Sequence, residues 1–590
     1  MTGGRYLPIA DYALIGDTRS AALVGRDGGI DWCCLPAFDS PSVFARILDD
    51  GRGGHFTVTV PRAEVTRRYL GDSMVLETTF RTPHGAATLT DAMPVAEAGG
   101  DWFDGPWILR LLRCVDGEVQ ASVRCTPAPF YAGERPPSQA GTDGFVVEHR
   151  LHASRRSLDE PDVTLHAGEA IVLAFGAPAT DEPRELTVEA AEDALAATQA
   201  WWEDWAAQLA YEGDDRASII RSALVLKALT SSSHGSMVAA PTASLPERIG
   251  GELNWDYRYA WLRDATLGFA ALDALGCHDE LAAYWRWIER ATGRDAAALT
   301  LMYRMDGESE LPESELAFSG YRDSRPVRIG NGAAHQLQLD TLGWALDAAD
   351  RYSAAGGELS DESRRFIGDI ADRAAEEWAR PDAGIWEVRT GDQQLVYSKA
   401  MCWYALDRAI AIGERTGRRD DLEHWRASAE AIRTEVMTRG IDRELGRFVH
   451  AYGGTVLDAS LLQLPRIGFV EASHPAMRVT IEVLRANLAA PDGLLYRNEY
   501  HGPKGFEGLF ALVTFWLADC LIELDDLEGA RQLVDRVWSY ANDLGLMSEE
   551  LDPETRAQLG NFPQAFSHTG RILTAVRLRE AEQARRTSRG

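Results

Sequence analysis

A chain of 590 residues with 45% hydrophobic and 25% charged residues is too long for one hydrophobic core and too apolar for disorder, so at least two packed domains are expected. Its net charge of −30 repels phosphate backbones and anionic lipid, which excludes nucleic acid and membrane surface as partners and leaves a neutral or small substrate. The seven cysteines are scattered without a C-x-x-C or Cys/His cluster for zinc, no charged region followed by an apolar run opens the chain, and no segment reaches the ~18 apolar residues of a membrane span. A reduced, cytoplasmic protein without metal or cofactor is expected, with a homo-oligomer left open.

From about Arg5 to Glu182 the sequence alternates with period two between turn residues. Residues 55–60, 74–80, 87–93, 107–114, 119–125 and 171–175 are expected as strands of an antiparallel β-sandwich. Asp27-Gly28-Gly29, between Ala22-Leu23-Val24 and Ile30-Asp31-Trp32, is a hairpin signal. After Pro183 residues 190–209 and 217–229 carry helix formers at helical spacing and form connecting helices. From roughly Pro241 amphipathic stretches alternate with loops: 260–275, 334–352, 361–379, 399–416, 422–438, 477–488, 508–524, 530–544 and 566–584. About a dozen helices without any βαβ alternation fit an (α/α)6 barrel of six hairpins. The expected plan is an N-terminal β-sandwich domain at 1–190, a helical linker at 191–235 and a catalytic (α/α)6 barrel at 236–590.

Ninety acidic residues make any one pair uninformative, so context must select. Three loops concentrate aromatic, arginine and carboxylate residues where a plain connection would be Gly, Pro and Ser. The first runs from Asn254 to Asp264 and carries Trp255, Tyr257, Trp261, Arg263 and Asp264. Sugars present flat apolar faces and fans of hydroxyls, which call for aromatic platforms beside fixed donors and acceptors. Alone, the three rings would fit a core equally well. The second is Gly384-Ile385-Trp386-Glu387-Val388-Arg389. A carboxylate in an apolar loop beside Trp386 would have its charged form disfavoured, as a general acid requires, which makes Glu387 the candidate acid. The third is Ser548-Glu549-Glu550, followed by Gly560-Asn561-Phe562-Pro563-Gln564-Ala565-Phe566-Ser567-His568, where one carboxylate could activate water.

Together with Ile9-Ala10-Asp11-Tyr12, Ile30-Asp31-Trp32, Phe38-Asp39-Ser40-Pro41 and Ser324-Arg325-Pro326-Val327-Arg328-Ile329-Gly330-Asn331, these segments resemble glycoside hydrolase family 15, the group of glucoamylases and actinobacterial trehalases, over nearly the whole chain. The resemblance implies that Glu387 is the general acid and Glu549 the general base, with Glu550 its neighbour. It places Arg263 and Asp264 on the non-reducing glucose, Tyr257 and Trp261 in the same pocket with Trp386, and Arg497 of Leu495-Tyr496-Arg497 as a further substrate-binding residue. Val388 stands where fungal members have a second Glu, Ala37 stands where many relatives have Arg, and Phe506-Glu507-Gly508-Leu509-Phe510 departs from the family's pattern at the +1 wall.

The implied activity is inverting, exo-acting hydrolysis of an α-glucoside, releasing β-glucose from trehalose or a short α-gluco-oligosaccharide. Glucoamylase-type action on longer α-glucans is the alternative. A phosphorolytic enzyme would need a basic or hydroxyl-rich niche where Glu549 stands, and a non-catalytic carbohydrate-binding protein would have no need of both acids.

Overall fold

The computed structural model describes residues 6–98, 105–133, 150–153, 162–176, 186–389, 391–417, 422–500, 505 and 507–589. Glu182 and Pro183, at the expected domain boundary, and Phe506, in the expected +1 wall, lie outside the described residues.

The first part of the chain forms β1 (Tyr12–Gly16), β2 (Ala21–Gly25), β3 (Gly29–Cys34), β4 (Ser42–Phe44), β5 (His55–Thr59), β6 (Glu64–Tyr69), β7 (Leu76–Thr82), β8 (Gly85–Ala92), β9 (Trp107–Thr126), a single turn α1 (Pro129–Gly133) wound left-handed at Phe130, Tyr131 and Ala132, then β10 (Arg150–Ala153), β11 (Asp162–His166) and β12 (Ala170–Gly176). All pairings among them are antiparallel. The predicted hairpin at Asp27-Gly28-Gly29 joins β2 to β3, with Gly28 at φ +82°.

Two strands expected at 107–114 and 119–125 are one strand, β9. Its first half pairs with β8 and β12, its second with β5 and β11. Asp116-Gly117 reads as a turn, yet here Cys114 faces Ala87 while Asp116 faces Ala86. Val115 is thus a bulge residue, and a bulge bends a strand without ending it. The two halves fold face to face: Phe44 and Phe56 from one side meet Phe175 from the other.

Helices α2 (Val188–Ala206) and α3 (Arg216–Ala228) follow. The apolar face of α2, with Ala191, Ala194 and Leu195, covers Trp107, Leu109 and Leu111 of β9 and Val172 of β12. That cover explains why β9 opens with buried residues in succession instead of alternating. The first helix of the expected linker is therefore a packed layer on the sheet, while α3 packs against α14 and α4.

Beyond it lie α4 (Leu262–Asp273), α5 (His278–Ala291), α6 (Asp340–Ala354), α7 (Asp361–Glu377), α8 (Val396–Thr416), α9 (Leu422–Arg439), α10 (Gln463–Arg466), α11 (Pro475–Leu488), α12 (Ala511–Glu523), α13 (Leu527–Trp538) and α14 (Ala565–Arg589). The pattern had not singled out α5 and α10. Contacts run from α4 to α6, α8, α10, α12, α14 and back to α4, while α5, α7, α9, α13 and α3 pack outside this succession. The burial agrees. Helix α4 is buried almost all round, whereas α13 buries only Leu527, Ala530, Val534 and Val537. No helix among the described residues is long and apolar enough to cross a membrane.

The first domain is bolted to the helices beside the loop 254–264. The Trp32 indole donates to the Pro241 carbonyl at 2.6 Å, Arg304 pairs with Asp39 at 3.0 Å, and Arg258 donates to the Ser40 carbonyl at 2.7 Å.

Candidate active site

The predicted residues converge at the end of the helical part where α4 and α8 begin. In the first loop Arg258 is fully buried and grips Asp256 through Nε and Nη2 at 2.8 and 2.7 Å. Two flanking rings are thereby fixed. Tyr257 donates its hydroxyl to Glu549 Oε1 at 3.1 Å, and Trp261 donates its indole N–H to Glu387 Oε1 at 2.7 Å. The rings meet edge to face with centroids 5.5 Å apart. One short segment therefore holds both predicted catalytic carboxylates, each by a different donor.

Glu387 sits on a turn at φ +57°, a left-handed conformation that costs a non-glycine residue of order 1–3 kcal/mol. Surrounding bonds hold it there. Gln336 Nε2 donates to the carbonyls of Glu387 and Val388 at 3.2 and 3.4 Å. Arg389 closes the turn on Glu313 at 3.2 and 2.7 Å. The expected apolar surroundings are corrected: besides the Trp261 indole, Arg263 Nη2 lies 3.4 Å from the Glu387 carboxylate. Trp386 turns elsewhere, donating to both oxygens of Asp458 at 2.9 and 3.0 Å and packing on Phe510 and Trp516, so it anchors the loop. Trp255 is not an open platform either, since the guanidinium groups of Arg328 and Arg389 lie over its ring at 4.5 and 4.4 Å.

Arg263 and Asp264 form the first turn of α4 and are both buried. Arg263 Nη1 donates to the Ile385 carbonyl at 2.9 Å and lies 3.8 Å from Asp340, whose Oδ2 also accepts from Tyr397 at 3.2 Å and Trp344 at 3.3 Å. Asp264 Oδ2 is buried and accepts no hydrogen bond. Burial pushes this carboxyl up to about 8, against the pull of Arg263 and with a further push from Glu387 and Glu549. Buried oxygens of this kind normally have a donor, and a sugar hydroxyl would supply one. Sequence reasoning missed Gln336, Gln338 and Asp340. Their signal was the alternation Gln336-Leu337-Gln338-Leu339-Asp340 just ahead of α6.

Of the pair Glu549-Glu550, only the first belongs with Glu387. Glu549 is 4% exposed, its Oε2 has no partner, and Gly560 lies opposite, where a β-carbon would come within 3.4 Å of that oxygen. Burial pushes Glu549 up to about 7; Arg497 and the Tyr257 hydroxyl restrain it, while Glu507 and Glu387 add to the push. Glu550 begins a short strand, so its side chain takes the other face, accepting from the Gly508 N–H at 2.7 Å.

Arg497 lies over the rings of Trp386 and Phe510 and faces three acids. Its Nε donates to Glu507 at 2.9 Å, and Nη2 lies 2.5 Å from Glu507, 3.2 Å from Glu247 and 3.9 Å from Glu550. Glu247, Glu507 and Glu550 offer oxygens within 4.8 Å of one another, the one group with such spacing among the described residues. The Arg497 guanidinium stands where a cation would. That these residues form one cluster is not legible in the sequence, because they come from distant segments.

Comparison with known proteins places these features. The model of glycosyl hydrolases family 15 matches residues 213–525 and 524–576, and that of a trehalase-like N-terminal domain matches residues 1–157. The chain is 36% identical to a trehalase of Mycolicibacterium smegmatis, over 98% of this chain and 92% of that protein. It is also 36% identical to a trehalase of Thermoplasma acidophilum, over 95% of this chain and 98% of that one. The crystal structure of a bacterial glucoamylase complexed with acarbose superposes with a TM-score of 0.68 at 13% identity, covering 98% of this chain and 95% of that one, a likeness of fold.

Proposed function

Since this chain belongs to glycosyl hydrolases family 15 and is a glycoside hydrolase, we propose that it inverts the anomeric centre of trehalose or a short α-gluco-oligosaccharide, releasing one glucose from the non-reducing end. The observation that carries this reading is the pair of touching rings, Tyr257 and Trp261, with one carboxylate on each. No hydrogen bond among the described residues joins Glu387 to Glu549. An inverting enzyme needs room for a water between base and sugar, with its carboxyls roughly 6.5–9.5 Å apart, and the separate donors that hold the two acids, Trp261 and Tyr257, support that reading.

In this mechanism Glu387 protonates the departing glycosidic oxygen while Glu549, steadied by Tyr257, takes a proton from water attacking the opposite face. Arg263 and the open Oδ2 of Asp264 bind hydroxyls of the first glucose, with Trp261 against it. Arg497, lying over the Trp386 ring that anchors the loop, is the further substrate-binding residue. The helical succession closed by α14 on α4 is read as the (α/α)6 barrel, spanning 236–590, after a β-sandwich domain at 1–190 and helices at 191–235.

Trehalose is favoured as substrate because the relatives bearing the name trehalase match this chain nearly end to end. The guanidinium groups of Arg328 and Arg389 over Trp255 also compete with the stacking of a longer glucan on that ring. Phosphorolysis is disfavoured because a carboxyl, Glu549, stands where phosphate would need a basic or hydroxyl-rich niche, with Glu507 and Glu387 as acidic neighbours. The test is an NMR time course on trehalose, maltose, isomaltose and maltotetraose. β-Glucose is expected as the first anomer, with trehalose or the shortest glucan turned over fastest; α-glucose as the initial product would refute the roles given to Glu387 and Glu549.

A further inference from the structure

The acids beside Glu549 pose a problem of charge. Four carboxyls, Glu247, Glu507, Glu549 and Glu550, gather around one cation, Arg497, and all five side chains are buried or nearly so. The cation is unevenly shared. Glu507 takes both Nε and Nη2, Glu247 reaches Nη2 at 3.2 Å, and Glu550 Oε1 is left 3.9 Å away. That Oε1 is fully buried and has no hydrogen-bond partner, although Oε2 of the same group accepts from the Gly508 N–H.

An anionic oxygen in this position would be unsolvated and without a hydrogen bond, with only Arg497 Nη2 at 3.9 Å as counter-charge, an arrangement proteins avoid by neutralising the group. A carboxylic acid resolves it. Its O–H becomes a donor, and Glu247 and Glu507, each offering an oxygen within 4.8 Å of one from Glu550, are its candidate acceptors. Glu507 is already the bidentate partner of Arg497, so Glu247 is the acceptor with capacity to spare. Resting on the role proposed for Glu549, we infer that Glu550 is held as a neutral acid sharing its proton with Glu247, and that this proton balances the cluster in place of a bound cation and keeps Glu549 competent as a base.

Burial acts in the same sense on both groups. Glu550 is pushed well above the usual carboxylate range by burial and then by Glu247 and Glu507, against Arg497, with Glu549 adding a smaller push. Glu247 is pushed up by burial, restrained by Arg497, and raised further by Glu507 and Glu549; the Tyr257 hydroxyl lies close by as well. These groups interact strongly enough to titrate as a unit, as carboxyl pairs do. Were the shared proton lost, Glu549 would face an additional anion and bind its own proton more tightly, too tightly to exist as a base at neutral pH. Glu247 and Glu550 are thus positioning residues that act through the protonation state of Glu549.

The test separates this proposal from the reading of the activity. Difference infrared spectra of the full chain at neutral pH, without substrate, should contain a protonated-carboxyl stretch, over and above that of Asp264, that disappears in Glu550→Gln. In Glu247→Gln the band should persist but shift, because the acceptor has changed; that variant also serves if Glu550→Gln fails to fold. The acid limb of kcat/KM should stay in place in Glu550→Gln, whatever the rate, since an amide replaces a neutral acid. It should move to lower pH in Glu247→Gln, which removes a negative neighbour of Glu549. A wild-type spectrum without the band, equal displacement of the limb in both variants, or loss of the band on adding magnesium or calcium would each overturn the proposal. Absence of any α-glucosidase activity would overturn the functional reading and leave the infrared result standing.

Discussion

The turn bearing Glu387 and the segment bearing Glu549 solve one problem, presenting a carboxylate to a sugar, by opposite means. The Glu387 side chain keeps 21% exposure and is met by donors, the indole of Trp261 and the guanidinium of Arg263, while its backbone carries the strain at φ +57°. Around Glu549 the backbone leads directly into a short antiparallel strand. Its side chain bears the burden instead, at 4% exposure with one donor, Tyr257, and other acids close by. One site spends conformational energy on aim; the other spends solvation energy on proton affinity. The acid should therefore be sensitive to what fixes its loop, and the base to what changes its field.

The largest effects expected are those of removing either group. Glu387→Gln and Glu549→Gln should each lower kcat on trehalose by about 10²–10⁴-fold with the fold retained, as loss of a positioned proton-transfer group does. The pair then separates by leaving group. Glu387→Gln should recover activity on an α-glucoside whose leaving group needs little protonation, and Glu549→Gln should not. Equal recovery would erase the distinction between the two regions.

Next comes the floor on which both stand. Asp264 offers a buried oxygen that accepts no hydrogen bond and lies 3.5 Å from Arg263 Nε, so Asp264→Asn should cost kcat/KM roughly 2–3 kcal/mol, about 30- to 150-fold, on every substrate tried. Kinetics near those of the unaltered enzyme would remove Asp264 from the site.

The field around Glu549 also sets a pH dependence of stability. Its folded value of about 7 lies above the ordinary 4.5, so the folded state binds the proton more tightly than the unfolded chain does. This group's contribution is fully present below about 4.5 and is lost as pH rises through about 7. Glu549→Gln should consequently have a higher Tm than the unaltered enzyme at pH above that window, and the gain should vanish at acidic pH. Tyr257→Phe, which removes a hydrogen bond to the charged form, should move the acid limb of kcat/KM to higher pH. A Tm lowered equally at all pH would mean that Glu549 is not the group burdened by burial.

Much of this was legible in the sequence because it is written locally. The loops 254–264 and 384–389 announce themselves by composition, and the Asp27-Gly28-Gly29 turn by its glycines. What was illegible depends on partners supplied from far away. Glu387 read as a carboxylate in an apolar loop, but its donors Trp261 and Arg263 come from 126 and 124 residues earlier. Trp255 fits a sugar platform or a core position equally well in the sequence, and the guanidinium groups of Arg328 and Arg389 come over it only after folding. The same holds for β9. Asp116-Gly117 has turn chemistry, and only the neighbours β5, β8, β11 and β12 make it a bulge in a continuous strand. Glu247 had no local signal at all, since its meaning lies in Arg497, 250 positions on.

The smallest effect expected is the most discriminating for the acid's half of the comparison. Gln336 touches Glu387 only through main-chain carbonyls, those of Glu387 itself and of Val388. Its amide also accepts from Gln338, whose own oxygen lies 3.5 Å from Arg263, so the side chain ties the turn to the floor of the pocket. A neutral hydrogen bond of this kind contributes about 1 kcal/mol, and Gln336→Ala should lower kcat about fivefold. Because Gln336 donates only to main-chain carbonyls of the turn, KM should hardly change, whereas Asp264→Asn should alter both parameters. The loss should also be smaller on a substrate with a good leaving group, since a loosened turn impairs delivery of a proton that such a substrate hardly needs. If Gln336→Ala raised KM and left kcat unchanged, the residue would be a sugar ligand, and the strained turn at Glu387 would owe its conformation to other contacts.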